Sequence, residues 1–165
     1  MRVININGPI NSGKSTISKL LLERLPNSIF IECDELTTDE AFLSFTDRIS
    51  ARLHKLYTLL EQLITEAQLE TIIFAYPMYL ETFDKISTIT VGRADFVIIT
   101  LSPSLESCMT NRGTRELDEW EQHRIQEMYK EGVAEFEKTD LFIDNTEKTS
   151  GQTVEIVLEY LKKKK

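Results

Sequence analysis

The chain is poor in the features that mark several large classes of protein. Its 165 residues hold two cysteines, Cys33 and Cys108, far apart and without C-x-x-C spacing. That pattern points to neither a zinc site nor a disulfide framework, and reduced thiols are expected. No apolar run approaches the roughly 20 residues needed to cross a bilayer, and Met1-Arg2 leads straight into an apolar stretch with no signal-peptide core. The expectation is a cytoplasmic protein with no membrane partner. Positive charge is also scarce: 19 Lys and Arg stand against 27 Asp and Glu, a formal net charge of −8. A nucleic-acid surface needs clustered basic residues in excess, so no nucleic-acid partner is expected. The run Lys162 to Lys165 reads as a solvated helix end whose cations complement the dipole. No repeat, low-complexity stretch or linker interrupts the chain, which reads as a single domain over 1–165.

Against these absences stands Gly8-Pro9-Ile10-Asn11-Ser12-Gly13-Lys14-Ser15, followed by Thr16. It fits the phosphate-binding pattern G-x-x-x-x-G-K-[ST] at every specified position. The apolar run Val3-Ile4-Asn5-Ile6 before it reads as a buried strand. Ile17, Leu20 and Leu21 after it, with the break at Pro26, read as one helix of about ten residues. Glycines at 8 and 13 let backbone N–H groups approach phosphate oxygens, because no Cβ blocks positive φ. The helix beginning near Lys14 adds its positive end. Lys14 is expected on the β- and γ-phosphates and the Ser15 hydroxyl on Mg²⁺.

Further along, Ile29-Phe30-Ile31-Glu32-Cys33-Asp34 reads as a second strand, with Glu32 and Asp34 on one face at its end. Residues 47–69 carry the three-and-four spacing of a long amphipathic helix, with Arg48, Arg52, His54 and Lys55 near its start. Thr71 to Ala75 is a third, central strand, ending in Tyr76-Pro77 where a Mg²⁺-holding aspartate is expected in many phosphate-loop proteins. Tyr76 and Tyr79 either line a substrate pocket or pack on a neighbouring helix. A helix at about 80–90 precedes a fourth strand over 95–101. Next come a short helix after Ser102-Pro103-Ser104 and the charged connection Arg112-Gly113-Thr114-Arg115. A long helix over about 117–138 is then expected, with Trp120 in its apolar stripe. Leu141 to Asp144 is the fifth strand, and a final helix follows Thr149-Ser150-Gly151. Strands alternating with helices give an α/β domain.

On these residues the chain resembles the small-molecule and nucleotide kinases of the P-loop fold, the group with shikimate kinase, gluconate kinase, chloramphenicol phosphotransferase and the nucleoside monophosphate kinases. The carriers are the loop Gly8–Ser15, the Glu32-x-Asp34 pair, the Arg112-x-x-Arg115 connection and the ending Ile143-Asp144-Asn145-Thr146. Ala75-Tyr76-Pro77-Met78-Tyr79 stands where shikimate kinases carry a Gly-rich stretch. The resemblance implies a three-layer fold, a five-stranded parallel sheet in the order 2-3-1-4-5 with helices on both faces, and a short lid at about 112–118. It implies that ATP and Mg²⁺ are the cofactors. Residues 8–16 would bind the nucleotide phosphates, and Asn145, Thr146 and Lys148 would lie near the adenine edge. Asp34 would be the base or positioning group for the acceptor, with Ser15, Glu32 and Asp34 about the metal. Arg112 and Arg115 would reach the transferred phosphoryl group, or Arg112 would stack on adenine.

The function so implied is transfer of the γ-phosphoryl group of ATP to a hydroxyl or phosphate of a small molecule or nucleotide, by a monomer or small homo-oligomer. Phosphoryl transfer asks mainly for alignment and positive charge around three oxygens, which lysine, Mg²⁺ and arginines supply. The alternative is an ATP-binding or hydrolysing module that acts as a switch or binds a partner. A GTPase switch is disfavoured, since neither an N-K-x-D guanine motif nor a D-x-x-G switch follows the relevant strands.

Overall fold

A computed structural model describes residues 1–36, 44–110 and 116–164. The elements run β1 (Arg2–Asn7), α1 (Lys14–Arg24), β2 (Ser28–Glu32), a 3₁₀ turn (Cys33–Glu35), α2 (Phe45–Glu66), β3 (Thr71–Ala75), α3 (Leu80–Thr90) and β4 (Asp95–Leu101). They continue with α4 (Leu105–Met109), α5 (Glu119–Lys130), a second 3₁₀ turn (Val133–Glu135), β5 (Leu141–Ile143) and α6 (Ser150–Lys163). The strands form a five-stranded sheet in the order β2-β3-β1-β4-β5, as expected, and each adjacent pair is parallel.

The central strands are nearly continuous runs of β-branched and aromatic residues because both of their faces are covered. Successive side chains point to opposite faces, and the two faces feed two cores. Val3, Ile72, Phe74 and Ile98 pack with Leu56, Leu60 and Ile86 of α2 and α3. Ile4, Ile6, Ile73, Val97 and Ile99 pack with Leu21 of α1 and Val157 of α6. Ser44 caps α2, its hydroxyl accepting from the Asp47 N–H at 3.1 Å, and Ala67 ends the helix with φ of 50°. Leu56 and Leu60, one turn apart on α2, are fully buried, each contributing about 1.5–3 kcal/mol relative to exposure.

Expectations for two stretches of the chain are corrected here. The helix expected over 117–138 spans only Glu119–Lys130. It opens at a capping box in which Asp118 and Glu121 satisfy each other's backbone N–H groups, and it stops before Gly132, whose φ of 77° leaves the helical region. Val133 and Phe136 are buried from the turn beyond it. Trp120, expected in the core, is 53% exposed. The inward face of α5 is set by Ile125 and Met128. Trp120 is five residues before Ile125, a spacing that turns a helical side chain well away from that face.

The second correction concerns β2, which ends at Glu32. Asp34 sits in the 3₁₀ turn that follows, so the two carboxylates are not neighbours on one strand face.

A candidate phosphate-binding site at the end of β1

β1 ends at Asn7, and the next six residues wrap back into the N-terminus of α1. Gly8 takes φ of 145° and Gly13 takes 96°. At Gly8 the need for glycine is steric as well as torsional: a Cβ there would lie 2.7 Å from the Leu101 carbonyl oxygen and 2.7 Å from Ser12 Oγ. Gly13 is the N-cap of α1, with no side-chain cap and no acidic residue in the first turn. The first-turn N–H groups of α1 are thus left to an outside acceptor, which is the condition for an anion site at a helix N-terminus. Lys14 Nζ folds back over the loop to donate to the Pro9 carbonyl at 2.8 Å.

Residues Ile10 to Ile17 face a cavity of about 490 Å³ whose other walls include Glu32, Asp34, Asn145 and Lys148. The structure thus brings Glu32 and Asp34 to the phosphate loop, by way of the 3₁₀ turn. Asn145 is buried and donates its amide to the Ser12 carbonyl at 2.9 Å, bracing the loop. Its Oδ1 and the Ser12 hydroxyl are buried without a protein partner. Lys148 Nζ rests on the Asp144 carbonyl at 2.7 Å. The Thr146 hydroxyl donates to Asp144 Oδ1 at 2.6 Å and accepts from the Ser104 N–H, which ties down the end of β5. That hydrogen bond, together with the one from the Thr146 N–H, holds the Asp144 carboxyl below its usual range. Arg112 and Arg115, with residues 111–115 as a whole, lie outside the described residues.

The residues present suit a nucleotide phosphate chain: a glycine cradle that a Cβ would fill, uncapped helix N–H groups, a lysine, and two buried polar atoms at the loop without partners. Ser15, Glu32 and Asp34 offer hard oxygen donors of the kind Mg²⁺ prefers. No cluster of three His, Cys, Asp or Glu suited to a metal is found among the described residues.

Several contacts near the segment after β3 and around Asp34 were not anticipated from the sequence. Asn5 and Asn7, buried inside an apolar strand, direct their side chains to the segment after β3. Asn5 Nδ2 donates to the Tyr76 carbonyl at 3.0 Å. Asn7 Oδ1 accepts from the Met78 N–H at 2.8 Å, while its Nδ2 donates to Thr100 Oγ1 and the Val133 carbonyl. A polar residue in a continuous apolar strand was the available signal. Arg52 of α2 reaches within 3.8 Å of Asp34. Arg124 of α5 donates to Glu127, Glu131 and the Tyr79 hydroxyl, the last at 2.8 Å. Tyr79 donates in turn to Glu131 at 2.9 Å. Burial pushes the Tyr76 hydroxyl up to about 12, with Cys33, Tyr57 and Asp34 adding to the shift and Arg124 opposing it. The Tyr76 hydroxyl therefore lies within the fields of both Asp34 and Arg124. Burial also raises the Cys33 thiol far above its usual range, helped by Asp34 and Glu32. Cys33 is a buried packing group and no nucleophile.

Sheet order, crossovers and loop together define the chain as having the fold of the P-loop kinases. No protein-family model matches the sequence, and no curated protein matches it. Solved structures do. A gluconokinase from Sinorhizobium meliloti 1021 is 18% identical, with a TM-score of 0.71 over 98% of this chain and 92% of that one. The thymidylate kinase of Candida albicans is 19% identical, with a TM-score of 0.68 over 99% and 92%. The APS kinase of Mycobacterium tuberculosis, solved with AMPPNP and APS, is 16% identical, with a TM-score of 0.63 over 98% and 96%. At these identities the likeness establishes the fold. No helix among the described residues is long and apolar enough to cross a membrane.

Proposed function

We propose that this chain is an ATP- and Mg²⁺-dependent phosphotransferase that moves the γ-phosphoryl group to a hydroxyl or phosphate of a small molecule or nucleotide. The observation that carries the reading is the uncapped N-terminus of α1, set behind a glycine cradle and Lys14, with two carboxylates across the same cavity.

In this reading residues 8–16 bind and orient the donor phosphates, with Lys14 drawn from the Pro9 carbonyl onto the phosphate oxygens. Ser15, Glu32 and Asp34 would hold Mg²⁺, which would supply charge neutralisation at the phosphates. Asp34 accepts the proton of the acceptor hydroxyl, and Arg52 beside it keeps that carboxylate in place. Arg112 and Arg115 bring guanidinium charge to the transferred group. Asn145 braces the loop from below, and Lys148 faces the nucleotide from the cavity wall. Gluconokinase, thymidylate kinase and APS kinase are structural neighbours of this chain, which supports a small, polar acceptor.

The test is ATP consumption with Mg²⁺ across a panel of sugars, sugar acids, nucleosides, nucleotides, shikimate and antibiotics of the aminoglycoside and phenicol types. One acceptor that raises ADP formation well above the water background establishes the reaction. Nucleotide binding without acceleration by any acceptor would overturn it in favour of a switch or partner-binding module.

A further inference from the structure

The tip of the phosphate loop is fastened to α4 and α5 as well as to the sheet. Asn11 sits at φ of 64°, and its side-chain amide donates to the Cys108 and Thr110 carbonyls, both at 2.9 Å. Ile10, beside it, packs against a small apolar cluster of Cys108, Leu117 and Ile125. That cluster is separate from the two cores that cover the sheet. Tyr129 of α5 closes the same unit through its hydroxyl, which donates to the Pro103 carbonyl. One turn and a half earlier on α5 stands Arg124, bonded to Tyr79 on the acceptor side. A chain of direct contacts therefore runs from the crown of the phosphate loop, through α4 and α5, to the acceptor wall.

Resting on the phosphotransferase reading above, we propose that Asn11 is a positioning residue that couples the phosphate loop to the α4–α5 unit. Both amide hydrogens are spent on carbonyls, so the side chain makes its contribution through the frame and not as a contact to phosphate. With the clamp in place, filling the loop fixes where α5 and Arg124 stand relative to the donor. Without it, nucleotide still binds through Lys14 and the α1 N–H groups, but the two sides of the site lose their registry, and registry is what transfer between two bound groups demands.

Asn11→Gly is the informative variant, because glycine keeps the positive φ while deleting the clamp. Two hydrogen bonds, each worth about fivefold in an equilibrium constant, set the expected loss in kcat at about thirtyfold, with nucleotide Kd within about threefold of wild type. Asn11→Asp, similar in size but without donors facing the two carbonyls, is expected to be as slow. Unchanged kcat in Asn11→Gly, an equal loss in kcat and nucleotide affinity, or recovery of rate by Asn11→Asp would each overturn the proposal. Hydrogen exchange on the whole protein gives a readout free of catalysis. A non-hydrolysable ATP analogue is expected to protect α5 amides in wild type and not in Asn11→Gly. Equal protection in both refutes the coupling even where no acceptor is found, whereas failure of every acceptor with the expected exchange pattern refutes the phosphotransferase reading alone.

Discussion

Replacing Gly8 by alanine tests the phosphate cradle at its tightest point. The new Cβ would stand 2.7 Å from the Leu101 carbonyl oxygen and from Ser12 Oγ. The serine side chain can rotate, but the carbonyl belongs to the last residue of β4 and is held by the sheet. The φ of 145° adds about 1–3 kcal/mol of backbone strain for a residue with a side chain, and forcing a methyl into packed atoms adds about 1–3 kcal/mol more. The sum, about 2–6 kcal/mol, is a large part of the roughly 5–15 kcal/mol that holds a domain folded. At roughly 2–4 °C per kcal/mol for a chain of this size, Tm is expected to fall by about 4–24 °C, and nucleotide affinity is expected to fall with it because the loop is displaced. Gly92→Ala is the control: φ is 70° but nothing lies within 4 Å of the added Cβ. There the strain of about 1–2 kcal/mol stands alone, and nucleotide binding is expected to be unaffected. Thermal melts and ATP titrations on the two variants decide the matter. A Gly8→Ala protein that melts beside Gly92→Ala and binds ATP like wild type would refute the account of the cradle.

Other outcomes follow from the same geometry. Lys14→Ala is expected to keep Tm within a few degrees while weakening ATP binding more than tenfold by calorimetry, since about 1.5–3 kcal/mol attaches to a hydrogen bond to a charged group; normal turnover would remove Lys14 from the site. Asp34→Asn should lower kcat by about 10²–10⁴-fold, a larger effect than on Mg²⁺-ATP affinity, and a wild-type rate with the true acceptor would eliminate Asp34 as the base. Asn7→Ala strips partners from the Met78 N–H, Thr100 and the Val133 carbonyl, for an expected loss of about 2–5 kcal/mol by urea denaturation; a loss below 1 kcal/mol would show that water replaces the amide. Tyr76 ionises near 10 in the unfolded chain and near 12 in the folded one. The folded state holds its proton longer, so stability present below pH 10 is lost as pH rises from about 10 toward 12. Tyr76→Phe should flatten that alkaline decline, and an unchanged decline would assign it to other groups.

The residues of the loop and the alternation of strand and helix were readable in the sequence because each rests on a short local signal: a fixed spacing, a run of β-branched residues, a periodic stripe; the sheet order followed from the family resemblance and matches the structure. The misreadings arose where tertiary partners decide. The stripe from Leu117 to Phe136 looked like one helix because its apolar residues other than Trp120 do face the core, yet Gly132 breaks it and the later ones arrive on a turn. Glu32 and Asp34 do meet the same cavity, but a 3₁₀ turn brings them there, where strand alternation was expected. Asn5 and Asn7 stood out only as polar residues in an apolar strand, and nothing local named their partners, which lie at least 71 positions away. The same holds for Arg124 and Tyr79, 45 positions apart.

The asparagines of β1 carry a consequence for how such a site changes over time. They grip the segment 76–79 by its backbone, at the Tyr76 carbonyl and the Met78 N–H, and leave the side chains of Tyr76, Pro77 and Tyr79 out of the bargain. A wall fixed by its main chain accepts new side chains at Tyr76 and Pro77 without changing its path, whereas Tyr79 is also tied to Arg124 and Glu131. On the phosphotransferase reading proposed above, substrate preference could therefore drift there while the spacing between the phosphate loop and that segment, measured from a single strand, is inherited unchanged.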